Sequence, residues 1–174
     1  TGMSLYRAVL VFLEVYKNGK LVGHNTDYYG AIRALKDKTK IKNENVTVLG
    51  AGGAARAIVY GLKEENGNIT ILNRNVKKAK KLANEFNCDY GSLNDFKNSN
   101  TDILVNATSI GMYPNINRSL ISKRFLKNMI VFDAIFNPYK TKLLKEAEAN
   151  NCKIISGVEM LLHQAVKQFK LWAN

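Results

Sequence analysis

The segment from Val46 to Leu62 constrains the fold more than any other part of this chain of 174 residues. A run of β-branched and aliphatic residues ends at Gly50-Ala-Gly-Gly-Ala-Ala55, and an apolar helical pattern follows. Gly50, Gly52 and Ala55 match the G-x-G-x-x-G/A pattern, in which the glycines allow a tight turn and a close approach of a diphosphate to the backbone. The segment predicts a strand, a phosphate-binding turn and a helix whose first N–H groups face the phosphates.

A second strand, Ile69–Asn73, follows at the spacing of a β-α-β unit, and Arg74 comes directly after it. A chain that binds NAD carries an acidic residue at this point for the ribose 2′-hydroxyl, whereas an arginine suits a 2′-phosphate. Asn73 and Arg74 therefore predict NADP rather than NAD as the cofactor.

Strands and helices alternate through the rest of the chain. Apolar and periodic patterns predict the strands Asp102–Asn106, Met129–Asp133 and Lys153–Ile155, and helices over about Val76–Phe86, about Thr141–Asn150 and about Val158–Trp172. This alternation predicts an α/β fold with a doubly wound parallel sheet of the Rossmann type. Ligands bind beyond the carboxyl ends of such strands, so we expect the polar clusters at 73–74, 106–112 and 133–138 to share one edge.

The N-terminal part is less regular. Residues 4–16 are apolar, and their pattern is compatible with either a strand or a helix. Lys17-Asn-Gly-Lys20 predicts a hairpin turn. A helix is predicted from Tyr28 to Lys36, with Thr26 or Asp27 as its cap. We divide the chain into residues 1–20, an unplaced segment or linker, and residues 21–174, an NADP-binding domain.

Composition narrows the class of protein. The chain has 46% hydrophobic and 23% charged residues, as ordinary globular proteins do, and no apolar run is long enough to span a membrane. Ala8–Leu13 is short and lacks the cleavage site of a secretory signal, so we expect a cytoplasmic protein. Cys88 and Cys152 stand outside any metal-ligand spacing and predict free thiols and no metal site.

The net charge of +12 raises the alternative of a nucleic-acid-binding protein. The lysines are dispersed, however, as at Lys77-Lys78-Ala-Lys80-Lys81, and no interleaved aromatics or nucleic-acid motif accompany them. A solvated surface that attracts an anionic cofactor and substrate explains the charge better. We therefore expect neither nucleic acid nor a membrane as a partner.

Six polar or glycine-rich segments together resemble the shikimate dehydrogenase family, in the family's order and over about residues 15–174. They are Gly23–Asp27, Gly50–Ala55, Asn73–Arg74, Asn106–Met112, Asp133–Pro138 and Gly157–Gln164. The glycine turn is shared by many dehydrogenases. The N-T-D segment, the N-A-T-S-x-G-M segment and the final G-x-x-M-L-x-x-Q segment are far more specific.

The resemblance implies reversible reduction of 3-dehydroshikimate to shikimate with NADPH. It implies that Asp27 hydrogen-bonds a substrate hydroxyl and acts with a lysine in proton transfer, and that Asn25, Thr26 and Gln164 also bind the substrate. The positions that it assigns to the cofactor lie in the glycine turn, beside the second strand and around the nicotinamide. These positions are Gly50, Ala51, Gly52, Gly53, Ala54, Asn73, Arg74, Asn106, Ala107, Thr108, Ser109, Met112, Gly157 and Met160.

Two departures from the family bear on activity. The family's N-terminal substrate domain, with its catalytic lysine, is not in this sequence, and Lys140 is a weak candidate to replace that lysine. Phe136 stands where the family often has a tyrosine. We therefore expect a cofactor-binding fragment with impaired catalysis; the alternative is a non-catalytic dinucleotide-binding module. A small-molecule substrate and, in a homodimer, a second copy of the chain are the expected partners.

Several candidate residues also have purely structural interpretations. Asp27 has an alternative interpretation as a helix cap without a role in substrate binding. Asp133 is interpreted either as the cap of a turn or as a ligand contact. Met112 and Met160 without their motifs are typical of a hydrophobic core. His163, like His24, has no carboxylate nearby in the sequence to orient it, which favours a surface or supporting role.

Overall fold

The computed structural model describes residues 13–17 and 20–173. The two N-terminal strands, β1 (Leu13–Lys17) and β2 (Lys20–His24), pair antiparallel, which confirms the predicted hairpin. The sequence interpretation of residues 4–12 lies outside the described residues. The division of the chain at residue 20 stays a prediction.

Six further strands form one fully parallel sheet, as predicted. The strands are β3 (Asn45–Leu49), β4 (Asn68–Leu72), β5 (Asp89–Gly91), β6 (Ile103–Asn106), β7 (Ile130–Asp133) and β8 (Lys153–Ile155). Their order across the sheet is β5-β4-β3-β6-β7-β8, so the chain moves outward in one direction from β3 and then in the other. This reversal between β3 and β6 opens a crevice at the carboxyl ends of the strands.

Two hydrophobic cores cover the two faces of the sheet because successive strand side chains point to opposite sides. Val48 and Val105 belong to the core on one face, whereas their neighbours Leu49 and Leu104 belong to the core on the other. Both faces are therefore buried, which explains why the strands have continuous apolar sequences rather than alternating ones.

Within residues 13–17 and 20–173, five α-helices pack on the sheet or on each other. They are α1 (Asp27–Lys36), α2 (Gly53–Glu64), α3 (Val76–Phe86), α4 (Lys142–Ala149) and α5 (Gly157–Trp172). α1 packs against both α2 and α5. α4 contributes Leu143 and Leu144 to the core that contains Leu49 and Leu104. Short 3-10 helices at Leu93–Asn98 and Lys123–Phe125 also pack on that core. In the described part of the chain, no helix combines the length and the apolar character that a membrane span requires.

The cap of α1 differs from the prediction. Thr26 occupies the N-cap position, but neither its hydroxyl nor the Asp27 carboxylate caps the helix. Oδ1 of Asn25 instead accepts hydrogen bonds from the N–H groups of Asp27, at 2.9 Å, and of Tyr28, at 3.2 Å. Because Asn25 satisfies these free N–H groups, the Asp27 carboxylate is left for other contacts.

Candidate functional site

The glycine turn follows β3 at the point where the strand order reverses. Gly50 has φ of +112°, and a Cβ added there would lie 2.9 Å from the carbonyl oxygen of Ala107. The turn is thus tight both because of its backbone conformation and because the loop after β6 presses against it. The predicted strand, turn and helix are all present.

The next part of the turn is open on its outer side. Gly52 is exposed, and a Cβ added to it would have no protein atom within 4 Å. Gly52 is also the N-cap of α2, whose first turn has neither a side-chain cap nor an acidic residue. The free N–H groups from Gly53 and Ala54 onward form a cradle that fits the diphosphate of a dinucleotide.

Arg74 lies just beyond β4 on the same edge. It is exposed, and within the described ranges no carboxylate or other side chain pairs with it. Asn73 donates its side-chain N–H to the backbone oxygen of Asn75, and the side chain of Asn75 caps α3 by accepting from the N–H of Lys78. The segment is therefore held by its own hydrogen bonds, and the arginine is free to bind an anion.

A buried polar network joins the loops that follow β6 and β7. The Asn106 side chain donates to Oδ1 of Asp133 at 3.0 Å and accepts from the Thr108 hydroxyl at 2.7 Å. The Asp133 carboxylate also accepts from the Thr141 hydroxyl, at 2.6 Å, and from the N–H of Ile135, at 3.1 Å. The Asn106 side chain is thus engaged within the protein and shapes the loop, and its contact with the cofactor stays a prediction.

Asp133 itself is completely buried, which decides between its two interpretations. It caps the turn after β7 and cannot touch a ligand directly. Burial raises its pKa to about 6, although the hydrogen bonds from Thr141, Ile135 and Asn106 oppose that rise.

The substrate residues suggested by the sequence come together between two helices. Gln164 on α5 donates its side-chain N–H to Oδ1 of Asp27 at the start of α1. In α5 only Gly157 and Met160 are buried, and the helix packs chiefly on α1 rather than on the parallel sheet. Burial raises the pKa of the Asp27 carboxyl, and the Gln164 hydrogen bond partly offsets this rise.

The remaining predicted cofactor positions fall into exposed and buried groups. Ser109 and Met112 are exposed on the loop after β6, whereas Ala51, Ala107 and Thr108 are half-buried at the same edge. Gly157 is buried where α5 begins against the loop after β7, and Met160 lies in the core under α1. The ligand contacts of all these residues stay predictions.

Two contacts could not be found from sequence spacing. His163 lies 2.8 Å from Oδ2 of Asp37, a carboxylate that is 126 positions away in the chain. Lys140, the weak candidate for a catalytic lysine, forms an ion pair at 2.8 Å with Glu148 on α4. The His163 contact links α5 to the end of α1, and the Lys140 contact directs that amine toward α4.

A parallel sheet with this strand order and a glycine turn at its reversal point defines a Rossmann-type dinucleotide-binding fold. Within that class, a family model described as shikimate / quinate 5-dehydrogenase matches residues 33–149. The chain belongs to this family, as its sequence segments suggested.

Similar proteins agree with this membership. The NADP(+) shikimate dehydrogenase of Pyrococcus abyssi is 45% identical over 159 residues, which cover 90% of this chain and 59% of that protein. A crystal structure of a shikimate dehydrogenase in complex with NADP+ has a TM-score of 0.86 at 40% identity, with 91% of this chain and 59% of that one covered. The shikimate dehydrogenase of Thermus thermophilus, in complex with NADP(H) and shikimate, has a TM-score of 0.82 at 32% identity, with 91% and 60% covered. The chain thus spans about three fifths of the length of these relatives.

The buried carboxyl of Asp133 predicts a specific dependence of stability on pH. Its pKa is raised in the folded state from an ordinary 3.8 to about 6. Protonation therefore stabilises the folded protein fully below pH 3.8, and this contribution is lost as the pH rises through about 6. The shift corresponds to about 3 kcal/mol in the free energy of unfolding.

Urea unfolding between pH 4 and pH 8 would measure this effect as the difference between the wild type and Asp133→Asn. We expect the free-energy difference, wild type minus variant, to fall by a few kcal/mol over that range. Glu64→Gln, which neutralises an exposed carboxylate on α2, is the control and should show no such trend. A constant difference for Asp133→Asn would contradict the raised pKa.

Proposed function

We propose that this chain binds NADP and forms the cofactor half of the active site of an NADP-dependent shikimate dehydrogenase, which interconverts 3-dehydroshikimate and shikimate. The observation that carries the proposal is the arrangement of the sheet edge. An open glycine cradle and an unpaired arginine follow adjacent strands, and a carboxylate–amide pair joins α1 to α5, the helix that begins against the loop after β7. The Thermus thermophilus relative, whose structure holds NADP(H) and shikimate, supports both ligands.

The cofactor would lie across the crevice above β3. The N–H groups at the start of α2 would hold its diphosphate, and Arg74 would hold its 2′-phosphate through charge-assisted hydrogen bonds. The loop at 107–112, shaped by Asn106 and Asp133, would contact the nicotinamide. The bound cofactor would supply or accept the hydride.

Asp27 has the position and environment for proton transfer to a substrate oxygen. Its Oδ1 accepts from Gln164, while no donor in the described part of the chain reaches Oδ2. Burial raises the pKa of this carboxyl, so a larger fraction of it is protonated, and able to donate a proton, at a given pH than of an exposed aspartate. We infer that Oδ2 meets the substrate hydroxyl, with Gln164 orienting the carboxylate and binding the substrate alongside it.

The rest of the substrate site is proposed to come from the portion of the relatives' length that this chain does not match. The Lys140 amine is engaged by Glu148, so it is poorly placed to supply the family's catalytic lysine. We assign the residues that hold the substrate carboxylate to the same unmatched portion, because none of the site residues described at the carboxyl edge of the sheet has been given that role. A cytoplasmic location and a homodimer stay predictions.

Arg74→Ala tests the cofactor assignment. Losing one charge-assisted phosphate contact costs about 1.5–3 kcal/mol, so binding of NADPH should weaken roughly tenfold to a hundredfold while binding of NADH changes little. Calorimetric titration of both cofactors measures the difference. Arg33→Ala, which removes an exposed arginine from α1, is the matched control. Equal losses for NADPH and NADH in Arg74→Ala would remove Arg74 from the 2′-phosphate site.

Gly52→Val tests the diphosphate cradle. The backbone of Gly52, with φ of −98° and ψ of −165°, is accessible to valine, and the space beside it holds no protein atom. The variant should therefore keep the helical content and thermal stability of the wild type but lose NADPH binding, because its side chain occupies the place of the ligand. Gly52→Ala should be intermediate. Unchanged affinity in Gly52→Val would show that the turn is structural only.

The proposal also predicts the behaviour of the 174-residue chain by itself. NADPH should raise its thermal unfolding temperature, whereas shikimate should add little and NADP-dependent oxidation of shikimate should stay near background. The reason is that general acid–base catalysis contributes about 10²–10⁴-fold, and weakened substrate positioning adds to its loss. Robust turnover would contradict this division of the site, and Lys140→Ala would then show whether Lys140 supplies the proton. NADPH binding without turnover, even when the part of the relatives that this chain does not match is added as a separate polypeptide, would favour the alternative of a non-catalytic dinucleotide-binding module.

A further inference from the structure

α1 and α5 approach each other closely at Gly30. Gly30 is buried and lies three positions after Asp27, so the two residues are neighbours on one side of α1. A Cβ added to Gly30 would lie 2.5 Å from Cγ of Gln164 and 2.6 Å from the backbone oxygen of Met160. The absence of a side chain at this position is what lets α5 come so close.

The two contacts have different consequences. The Gln164 side chain could rotate away from an added methyl group, but rotation would withdraw its amide from Asp27. The Met160 oxygen belongs to the backbone of α5 and cannot rotate. It would be about 0.8 Å closer than the ordinary contact distance of 3.4 Å, so α5 itself would have to move.

Contacts on either side of Gly30 hold α5 in place. Toward the end of α5, Gln168 donates to the hydroxyl of Thr26 at 2.9 Å. Toward its start, Glu159 pairs with Lys38 at 3.4 Å, and His163 contacts Asp37. The helix is thus tied to α1 on both sides of the crossing, and the crossing point determines the separation between Asp27 and Gln164.

We propose that Gly30 is a positioning residue, which sets the Asp27–Gln164 hydrogen bond by fixing how closely α1 and α5 approach. This inference rests on the proposed function, which assigns Asp27 and Gln164 to the substrate site. Gly30 does not touch the substrate in this arrangement and acts only through the geometry of the pair.

The ionisation of Asp27 reports this geometry without any need for catalysis. Burial raises the pKa of Asp27 and the Gln164 hydrogen bond lowers it, and no charged group in the described ranges adds to the shift. Withdrawal of the Gln164 amide removes the hydrogen bond that opposes burial, so the pKa of Asp27 rises provided that its carboxyl stays buried when α5 shifts. A purely structural loss elsewhere in the protein does not have this effect.

The test is a carboxyl NMR titration of Asp27 in Gly30→Ala, with Gly61→Ala as the matched control. Gly61 lies on α2 and also packs against α1, where an added Cβ would meet the side chain of Ile32 at 2.5 Å. We expect Gly30→Ala to raise the pKa of Asp27 toward its value in Gln164→Ala. Gly61→Ala should lower thermal stability but leave that pKa at its wild-type value.

A double-mutant cycle completes the test. In the Gln164→Ala background, Gly30→Ala should cause no further change in the pKa of Asp27, because the hydrogen bond through which it acts is already gone. An unchanged pKa in a folded Gly30→Ala variant, or an equal rise in Gly61→Ala, would overturn the proposal. If Gln164→Ala itself has no effect, the failure lies in the assigned pair and not in Gly30 alone.

Folding of the variant is controlled separately. Where Gly30→Ala is unfolded in buffer, all variants are titrated in trimethylamine N-oxide, which favours the folded state. Recovery of the fold with a raised pKa of Asp27 supports the proposal. A Gly30→Ala chain that stays unfolded there, while Gly61→Ala folds, would make Gly30 a purely structural residue and overturn it.

Discussion

The pairing of β3 on both of its edges is the constraint on which the site depends. β3 pairs in parallel with β4 on one side and with β6 on the other. The connections that follow these strands must diverge, so a crevice is left at the carboxyl end of β3. Gly50 lies at that point, and the carbonyl oxygen of Ala107, from the loop after β6, leaves no room for a side chain. The cradle proposed for the diphosphate exists because the sheet reverses there.

The substrate pair depends on a different kind of interaction. Asp27 and Gln164 belong to α1 and α5, two helices that pack chiefly against each other rather than on the parallel sheet. Their hydrogen bond therefore follows the packing of α1 against α5, with Gly30 at the crossing. Helix packing adjusts in small shifts more readily than the hydrogen-bonded ladders of a sheet do. The geometry of this half of the proposed site therefore depends on helix packing rather than on strand pairing.

A third interaction, the hydrogen-bond network around Asp133, connects the loops that follow β6 and β7. One carboxylate accepts hydrogen bonds from Asn106, Ile135 and Thr141, and so ties the end of β6 to the segment between β7 and α4. A buried carboxylate with satisfied oxygens fixes a unique arrangement of its donors, at the expense of its own solvation. These hydrogen bonds stabilise the conformation of the loop that is proposed to face the nicotinamide.

Much of the fold could be predicted because its signals are local. The helix Val76–Phe86 and the strand Lys153–Ile155 have the predicted ends, and the alternation of strands and helices indicated a parallel sheet. The residue that caps α1 is harder to predict from the sequence, because Asn25, Thr26 and Asp27 are all good capping residues. Which of them reaches the free N–H groups depends on the path by which the chain enters the helix, and composition does not reveal that path.

The sequence by itself determined the glycine turn, the order of the elements, the family and the residue types available at the sheet edge. These follow from local backbone preferences and from motifs that are contiguous in the chain. Only the tertiary structure decided that Asp133 is buried, that Lys140 pairs with Glu148, that His163 meets Asp37 and that Gln164 reaches Asp27. Desolvation and the pairing of distant side chains are properties of packing, and they arise only when segments far apart in the chain come into contact.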